Sequence, residues 1–132
     1  MKKFIVLFLM LISFSFVLHA ETYWYRSTSF ASATISNGRY YWSDWEQSNI
    51  PISIDLTNDI ITIYSKVKQI YYVVKCGDTF TDNGGGSQVV FYVVDQDRDR
   101  GSIRLRKERN GNSQIYIDFK DCGWCYNVLR TN

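Results

Sequence analysis

The cysteines are the first residues in this sequence whose type and spacing could do chemistry. Cys122 and Cys125 are separated by two residues, which is the Cys-x-x-Cys spacing of redox centres. That chemistry needs the first thiolate at the N-terminus of a helix, whereas the surrounding residues favour a strand, in which residues three apart lie about 10 Å apart. The sequence therefore favours one structural disulfide, from Cys76 to Cys122 or Cys125, which joins a long loop to the last strand and leaves one thiol free.

A pair of acidic residues is the second pattern with chemical potential. Asp44 and Glu46 are two residues apart, so they would lie on the same face of a strand, about 6.5 Å apart between Cα atoms. Paired carboxylates are the machinery of glycoside hydrolysis. Surface acids on strands are common, so a carboxylate-based glycoside hydrolase is the third functional class that we consider.

Another acidic pattern lies in a predicted turn. Asp95, Asp97 and Asp99 alternate as the first ligands of a calcium-binding loop do. The sixth position of such a loop needs glycine and here holds Arg100, and the twelfth needs glutamate and here holds Arg106. We therefore predict a solvated hairpin turn and no metal site, with calcium binding as the alternative.

Aromatic residues crowd into the first part of the chain after residue 20. They are Tyr23, Trp24, Tyr25, Phe30, Tyr40, Tyr41, Trp42 and Trp45. Neighbouring residues of a strand face opposite sides, so Tyr40 and Trp42 share one side, and Trp45 shares the other with Tyr41. Both sides cannot be core in so small a chain. Tyr40, Trp42 and Trp45 are therefore candidates for an exposed platform that stacks on sugar rings or anchors a protein partner. The alternative is core on one side and hydrogen-bonded tyrosine on the other.

Two later strands predict a second candidate surface. Apolar residues alternate with polar ones in both, which indicates one solvated face on each. If a three-residue loop links the two strands, with glycine in its last, left-handed position, the apolar faces of both strands lie on the same side of the sheet. Such a loop places Arg104 opposite Tyr116 and Arg106 opposite Gln114. This face of guanidinium and phenol groups is a candidate for binding a carboxylate or a glycan, and cross-strand pairing in solvent explains it equally well.

The first 20 residues have the order of a secretory signal. Two lysines precede a predominantly apolar run, 4–18, and a small residue, Ala20, follows it. The run is shorter than the ~20 residues that a membrane-spanning helix needs. We therefore expect residues 1–20 to be a cleaved signal peptide and residues 21–132 to be one domain. That domain would be exported to the periplasm or the extracellular space, with no membrane insertion after processing.

Removal of the signal changes two chemical properties of the chain. Its 15 basic residues include two lysines in the signal, so the remaining 13 balance the 13 acidic residues. A domain without net positive charge lacks the footprint of a nucleic-acid binder. The one histidine, His19, is also lost, which removes Ser-His-Asp and Cys-His catalysis and the usual zinc sites. We expect no nucleic-acid partner, no metal and no cofactor.

The residues after position 20 have the pattern of an all-β chain. No helical period persists there, and β-branched or aromatic runs recur at short intervals between Asn, Asp and Gly. The predicted strands are 23–35, 39–45, 52–56, 60–65, 69–75, 87–94, 102–108, 113–119 and 123–129. We predict a small antiparallel meander of eight or nine strands that forms a barrel or a two-sheet sandwich. The run 89–94 is apolar at every position and should be a central strand covered on both faces.

Together these features predict a small exported binding module, without enzymatic activity, that recognises a glycan or the surface of an extracellular protein. Its candidate binding residues are Trp42, Trp45, Tyr40, Arg104, Arg106 and Tyr116. A calycin-like carrier of a small apolar ligand is the second class, because the number of strands and the export signal fit it.

Overall fold

A computed structural model describes residues 22–132, and the predicted signal peptide lies outside them. The described residues form strands, turns and loops, and no helix among them is long and apolar enough to cross a membrane. The prediction of an all-β domain is confirmed. The strands are β1 (Thr22–Ser36), β2 (Arg39–Trp42), β3 (Glu46–Gln47), β4 (Pro51–Asp55), β5 (Ile60–Ile63), β6 (Gln69–Cys76), β7 (Phe80–Thr81), β8 (Ser87–Val94), β9 (Arg100–Lys107), β10 (Ser113–Asp118) and β11 (Cys122–Arg130).

Eight of these strands form a closed antiparallel barrel. Their order around the ring is β1, β4, β5, β6, β8, β9, β10 and β11, and β11 pairs with β1 to close it. Three short strands lie outside the ring: β2 and β3 pair with β1, and β7 pairs with β8. The domain is therefore a barrel rather than a two-sheet sandwich. Closure removes the unpaired edges that an open sheet would carry.

The register of β9 and β10 follows the predicted parity. Arg104 lies opposite Tyr116, as expected, and the neighbouring pairs continue in the same register. The link is the predicted three-residue loop, and a backbone hydrogen bond of 2.7 Å joins the residues that flank it. Gly111 has a φ of +90°, which is the left-handed conformation that this loop requires.

The prediction that the run 89–94 is covered on both faces is wrong. This run belongs to β8, in which Phe91 and Val93 are buried in the core while Tyr92 is 46% exposed on the outer face. A single closed barrel has one core, so its wall strands bury one face and present the other to solvent.

The strand predicted over 39–45 ends early, at Trp42, and the next strand begins at Glu46. Between them the Ser43 hydroxyl takes the place of a backbone carbonyl and accepts a hydrogen bond of 3.0 Å from a β1 amide. This irregularity breaks the alternation of faces. Asp44 and Glu46 are therefore not placed on one face of a continuous strand.

Isoleucine fills most of the barrel interior. The fully buried isoleucines, from four strands, are Ile52, Ile54, Ile61, Ile63, Ile103, Ile115 and Ile117. β-Branched side chains fit a pleated, half-buried surface well. One end of the barrel is closed by Phe119, whose ring centroid lies 5.9 Å from that of Tyr71 and 6.5 Å from that of Trp124.

A bulge in β1 changes which residues of this long strand face the core. The register with β11 shifts between Ser27 and Ser29, after an inward-facing tyrosine, Tyr25. Without the extra residue, Ala31 and Ala33 would point into the barrel; with it, they lie on the outer face. The bulge thus places two small side chains on the outer wall beside β11.

Candidate ligand-binding sites

The end of the barrel opposite Phe119 opens into a cavity of about 500 Å³. Apolar and aromatic side chains supply most of its wall: Tyr23, Tyr25, Ile54, Leu56, Val89, Phe91, Leu105, Val128 and Leu129. Small-molecule sites typically have volumes of ~300–1,000 Å³. An eight-stranded barrel is just wide enough to be filled by its own side chains or to hold one small ligand. Here side chains fill the barrel except at the end opposite Phe119, where the cavity is large enough for a ligand.

Two cations lie at the rim of this cavity, and none of its lining residues is acidic. Lys107 ends β9 and Arg130 ends β11. Within residues 22–132, neither side chain forms an ion pair. The Arg130 guanidinium carbon lies 4.6 Å from the centre of the Tyr23 ring, and this cation–π contact keeps the charge at the cavity mouth.

Hydroxyl groups flank Lys107 at the same level of the barrel. Ser87 on β8 and Ser113 on β10 are its direct cross-strand partners, and all three residues line the cavity. Cross-strand partners point to the same side of a sheet. Neither serine hydroxyl has a hydrogen-bond partner within the described part of the chain. The rim therefore places a lysine beside two residues that carry hydroxyl groups, an arrangement suited to an anion.

The segment 77–86 borders the cavity mouth and is held to the outer wall by an ion pair. Thr79 of this segment lines the cavity. Asp82 Oδ2 accepts a hydrogen bond of 2.6 Å from Nη2 of Arg106, and Asp82 Oδ1 accepts hydrogen bonds of 3.0 and 2.9 Å from two glycine amides of the segment. The hydrogen bond from Arg106, together with those from the backbone, lowers the pKa of Asp82. The carboxylate therefore stays ionised and holds the segment beside the mouth.

A second depression, which we call the outer recess, lies on the outside of the barrel and has a volume of about 490 Å³. Its lining residues are Tyr40, Trp42, Ser102, Arg104 and Asp118. They belong to β2, β9 and β10, of which β2 is separated from β10 by two strands of the sheet. The outer recess therefore brings together Tyr40 and Trp42 with Arg104, residues that the sequence predicted as two separate surfaces.

Small residues between these strands create the outer recess. Along one row of direct cross-strand partners, Trp42 is followed by Ala33, Gly123 and Asp118. Ala33 is 3% exposed although it faces away from the core. Ala33 has only a methyl group and Gly123 has no side chain, so neither places a long side chain between the indole of β2 and the carboxylate of β10.

Ring and ion-pair contacts fix the side chains around the outer recess. The Arg104 guanidinium carbon lies 4.3 Å from the centre of the Tyr116 ring, and Arg104 Nε donates a hydrogen bond of 3.0 Å to Asp118 Oδ2. Trp42 meets Tyr116 edge-on at 6.4 Å between centroids and stacks on Tyr40 at 5.9 Å. Within the described residues, the two terminal nitrogens of Arg104 have no hydrogen-bond partner, so they are available to a ligand.

The phenol beneath Arg104 is a neutral, fixed support. Burial raises the pKa of Tyr116 to about 12, and the neighbouring Cys125 thiol acts in the same direction. The protonated hydroxyl donates a hydrogen bond of 2.9 Å to Gln114 Oε1. Tyr116 therefore orients Arg104 through its ring face rather than through a charge.

Three of the predicted binding residues line neither cavity: Tyr116, which supports Arg104 from below, and Trp45 and Arg106. Trp45 is 50% exposed and has no ring contact with another described aromatic residue. Arg106 is occupied by two carboxylates, since its Nε also donates a hydrogen bond of 2.8 Å to Glu108. Asp44 and Glu46 are exposed and line neither cavity.

The predicted disulfide is wrong, because Cys76, Cys122 and Cys125 are all free thiols. Cys76 ends β6, whereas the other two lie in β11, and these strands are on opposite sides of the ring. Three strands separate them in either direction, at about 4.8 Å per strand. A disulfide needs Cα atoms within about 7 Å of each other, so the barrel wall keeps the two ends of the predicted bridge apart.

The aspartates of 95–99 form the turn between β8 and β9, as predicted. Asp95 Oδ1 accepts hydrogen bonds of 2.9 Å from the amides of both Asp97 and Asp99, and Arg98 has a φ of +68°. The first carboxylate is therefore used to close its own turn. Within residues 22–132 no three His, Cys, Asp or Glu side chains are grouped closely enough to hold a metal ion.

Lys107 and Arg130, the cations of the cavity rim, were not among the binding residues predicted from the sequence. A signal for Lys107 exists, because it has the same parity as the inward-facing Ile103 and Leu105. A lysine at an inward position at the end of a strand indicates a barrel mouth. Arg130 gives the same signal at the end of β11, because it has the parity of the inward-facing Tyr126 and Val128.

Comparison of the chain with protein-family models, with curated proteins and with solved structures found no match.

Proposed function

We propose that this protein is a non-enzymatic carrier that holds a small apolar ligand in its barrel. One observation supports this proposal above all others: the cavity of about 500 Å³ at the end of the barrel opposite Phe119, with walls formed mainly by apolar and aromatic side chains. An apolar ligand gains free energy by leaving water for such walls, at roughly 25 cal/mol per Å² of buried apolar surface. Export through the predicted signal peptide is part of this proposal and places the carrier outside the cytoplasm.

The packing of the domain makes the cavity a distinct feature. Protein interiors are close-packed, with few voids larger than a water molecule. The barrel obeys this rule at its closed end, where Phe119, Tyr71 and Trp124 are in contact. At the open end the lining residue Leu56 remains 43% exposed. An exposed leucine at the mouth of an open apolar cavity is the expected lining of an entry for an apolar ligand.

Filling the cavity from its wall should abolish ligand uptake. We expect Val89→Phe, which adds a ring at an inward position of β8, to weaken binding of the neutral fluorophore N-phenyl-1-naphthylamine at least tenfold, because the ring occupies the ligand's space. The control is Val74→Phe, since Val74 is 64% exposed on β6 and does not line the cavity. Fluorescence titration gives both affinities, and thermal denaturation shows whether each variant is folded. Equal affinity in the wild type and a folded Val89→Phe variant would contradict the proposal, as would a wild type that does not bind the fluorophore.

A second candidate function is recognition of a glycan at the outer recess. The convergence of Tyr40 and Trp42 with Arg104 and Ser102 favours it. Aromatic rings stack on the apolar face of a sugar, and guanidinium and hydroxyl groups bind its hydroxyls or a carboxylate. In this second function the barrel is a rigid support for the outer recess. The bound partner is a free glycan or the glycan of an extracellular protein.

Two of the exposed tryptophans, Trp42 and Trp45, separate this function from unspecific aromatic binding. We expect Trp42→Ala to reduce glycan binding tenfold or more, because it removes the ring that forms one side of the outer recess. Trp45→Ala is the matched control: it removes an equally exposed indole that lies outside the recess. A glycan array followed by calorimetry on the best hit measures the effect. Loss of binding in both variants, or in neither, would contradict a site at the outer recess.

A further inference from the structure

We infer that the cavity selects a single-chain amphiphile whose head group is an anion, such as an alkyl carboxylate. This inference rests on the proposed carrier function and adds the chemical class of the ligand. It follows from the two ends of the cavity, which differ in chemistry. The deep part is apolar, whereas Lys107 and Arg130 lie at the rim.

The charge balance of the rim indicates the sign of the head group. Both cations line the cavity, no acidic residue does, and neither cation has an ion-pair partner within residues 22–132. Elsewhere on the same strand, Arg104 and Arg106 are each paired with carboxylates. In a domain whose total charge balances, two unpaired cations at the rim of one apolar cavity form a local positive field that attracts an anion.

The polar groups of the rim match the shape of a small oxyanion. Lys107 lies between Ser87 and Ser113 in one row of cross-strand partners, so three donors face the same side of the wall. Arg130 is kept at the mouth by its contact of 4.6 Å with the Tyr23 ring. A carboxylate accepts hydrogen bonds from ammonium, guanidinium and hydroxyl donors at once, and charge-assisted bonds of this kind are the strongest. The alkyl chain then extends into the apolar interior towards Phe91.

The position of the cations also argues against a merely structural role. A charged side chain that only stabilised the fold would be paired with an opposite charge or would point away from apolar surroundings. Lys107 has the inward parity of β9, after Ile103 and Leu105. The side chain therefore extends over the cavity mouth, where a bound head group would lie.

Three single-chain probes of similar length test the inference. Decanoate, decan-1-ol and decyltrimethylammonium have negative, neutral and positive head groups, and each is titrated against the neutral fluorophore bound to the processed protein. We expect decanoate to bind at least about tenfold more tightly than decan-1-ol, and decyltrimethylammonium to bind most weakly, because one charge-assisted hydrogen bond corresponds to about tenfold in affinity. The preference for decanoate should decrease as salt is added.

Variants at the rim separate charge recognition from the cavity itself. Lys107→Met combined with Arg130→Met should remove the preference for decanoate over decan-1-ol. The control is Lys66→Met combined with Lys75→Met, which removes the same net charge at two exposed positions that do not line the cavity.

The outcomes distinguish this inference from the proposed function. If decan-1-ol binds as tightly as decanoate, the cavity does not select an anionic head group. The same conclusion follows if the Lys66 and Lys75 control also loses the preference for decanoate. Either result contradicts this inference but not the proposal of an apolar carrier. If none of the three probes displaces the fluorophore and the fluorophore itself does not bind, the carrier function is wrong and the inference fails with it.

Discussion

Replacement of Gly101 by alanine is expected to lower the free energy of unfolding by about 2 kcal/mol. A Cβ atom at this position would lie 2.6 Å from the Asp118 carbonyl oxygen and 2.8 Å from the Phe119 ring, well inside van der Waals contact. Neither neighbour can move freely. The carbonyl belongs to the backbone of β10, and the ring is packed against Tyr71 and Trp124. Chemical denaturation measures the loss.

Gly84→Ala is the matched control for this prediction. A Cβ atom there would meet nothing closer than the Asp82 carboxylate at 3.4 Å, and the backbone is not in the left-handed region. We expect unchanged stability, or a gain of up to ~1 kcal/mol from the lower entropy of the unfolded chain. If the Phe119 ring is part of the clash, the double variant Gly101→Ala and Phe119→Leu should lose less free energy of unfolding than the two single variants lose together. Equal stability of the Gly101→Ala and Gly84→Ala variants would show that Phe119 does not close this end of the barrel tightly.

The strands of this domain could be predicted from the sequence because their signals are local. Alternation of apolar and polar residues, with Gly, Asn and Asp between the runs, is visible within a few residues. The register of β9 and β10 was also accessible, because a one-residue error would have turned Leu105 or Ile115 to solvent. The short strands β3 and β7 were missed, since two residues carry no periodicity.

Closure of the barrel was not accessible from the sequence. It depends on pairing between β1 and β11, which lie at opposite ends of the described chain. The bulge between Ser27 and Ser29 decides which face of β1 continues around the ring, and no local pattern marks it. The error at 89–94 has the same origin: an apolar run fits both a doubly covered strand and a barrel wall, and only closure distinguishes them.

The candidate sites were predicted in part, for a related reason. Trp42, Tyr40 and Arg104 were each predicted as binding residues from their chemistry. Their convergence depends on the small residues Ala33 and Gly123, which no sequence pattern marks. Trp45 has the same chemistry and a different location. The sequence predicted a carrier as the second functional class but did not locate its cavity. An unfilled barrel end depends on the summed volumes of many side chains, and no motif marks it.

Cys125 is expected to react with iodoacetamide at pH 8 at least about a hundredfold more slowly than Cys76. Cys76 is exposed, whereas Cys125 is 1% exposed and lies beneath Tyr116 on the outer face. Burial raises the pKa of Cys125 to about 11, although the hydrogen bond with Tyr116 acts against the shift. Only about one Cys125 in a thousand is then a thiolate at pH 8, and the thiolate is the reactive form.

The pH dependence of this reaction gives the sign of the effect. Because the pKa of Cys125 is raised, its thiolate fraction and its rate of alkylation should rise about tenfold per pH unit from pH 8 to 10. Peptide mass spectrometry after short pulses measures the rate at each cysteine, and the same pulses in guanidinium chloride, where all three thiols are exposed, calibrate the reagent. Equal native rates at Cys76 and Cys125 would contradict the packing of Tyr116 over β11. Failure of Cys76 to react without prior reduction would instead show that it is held in a disulfide, and peptide mapping would show whether its partner is Cys122, Cys125 or a thiol of another molecule.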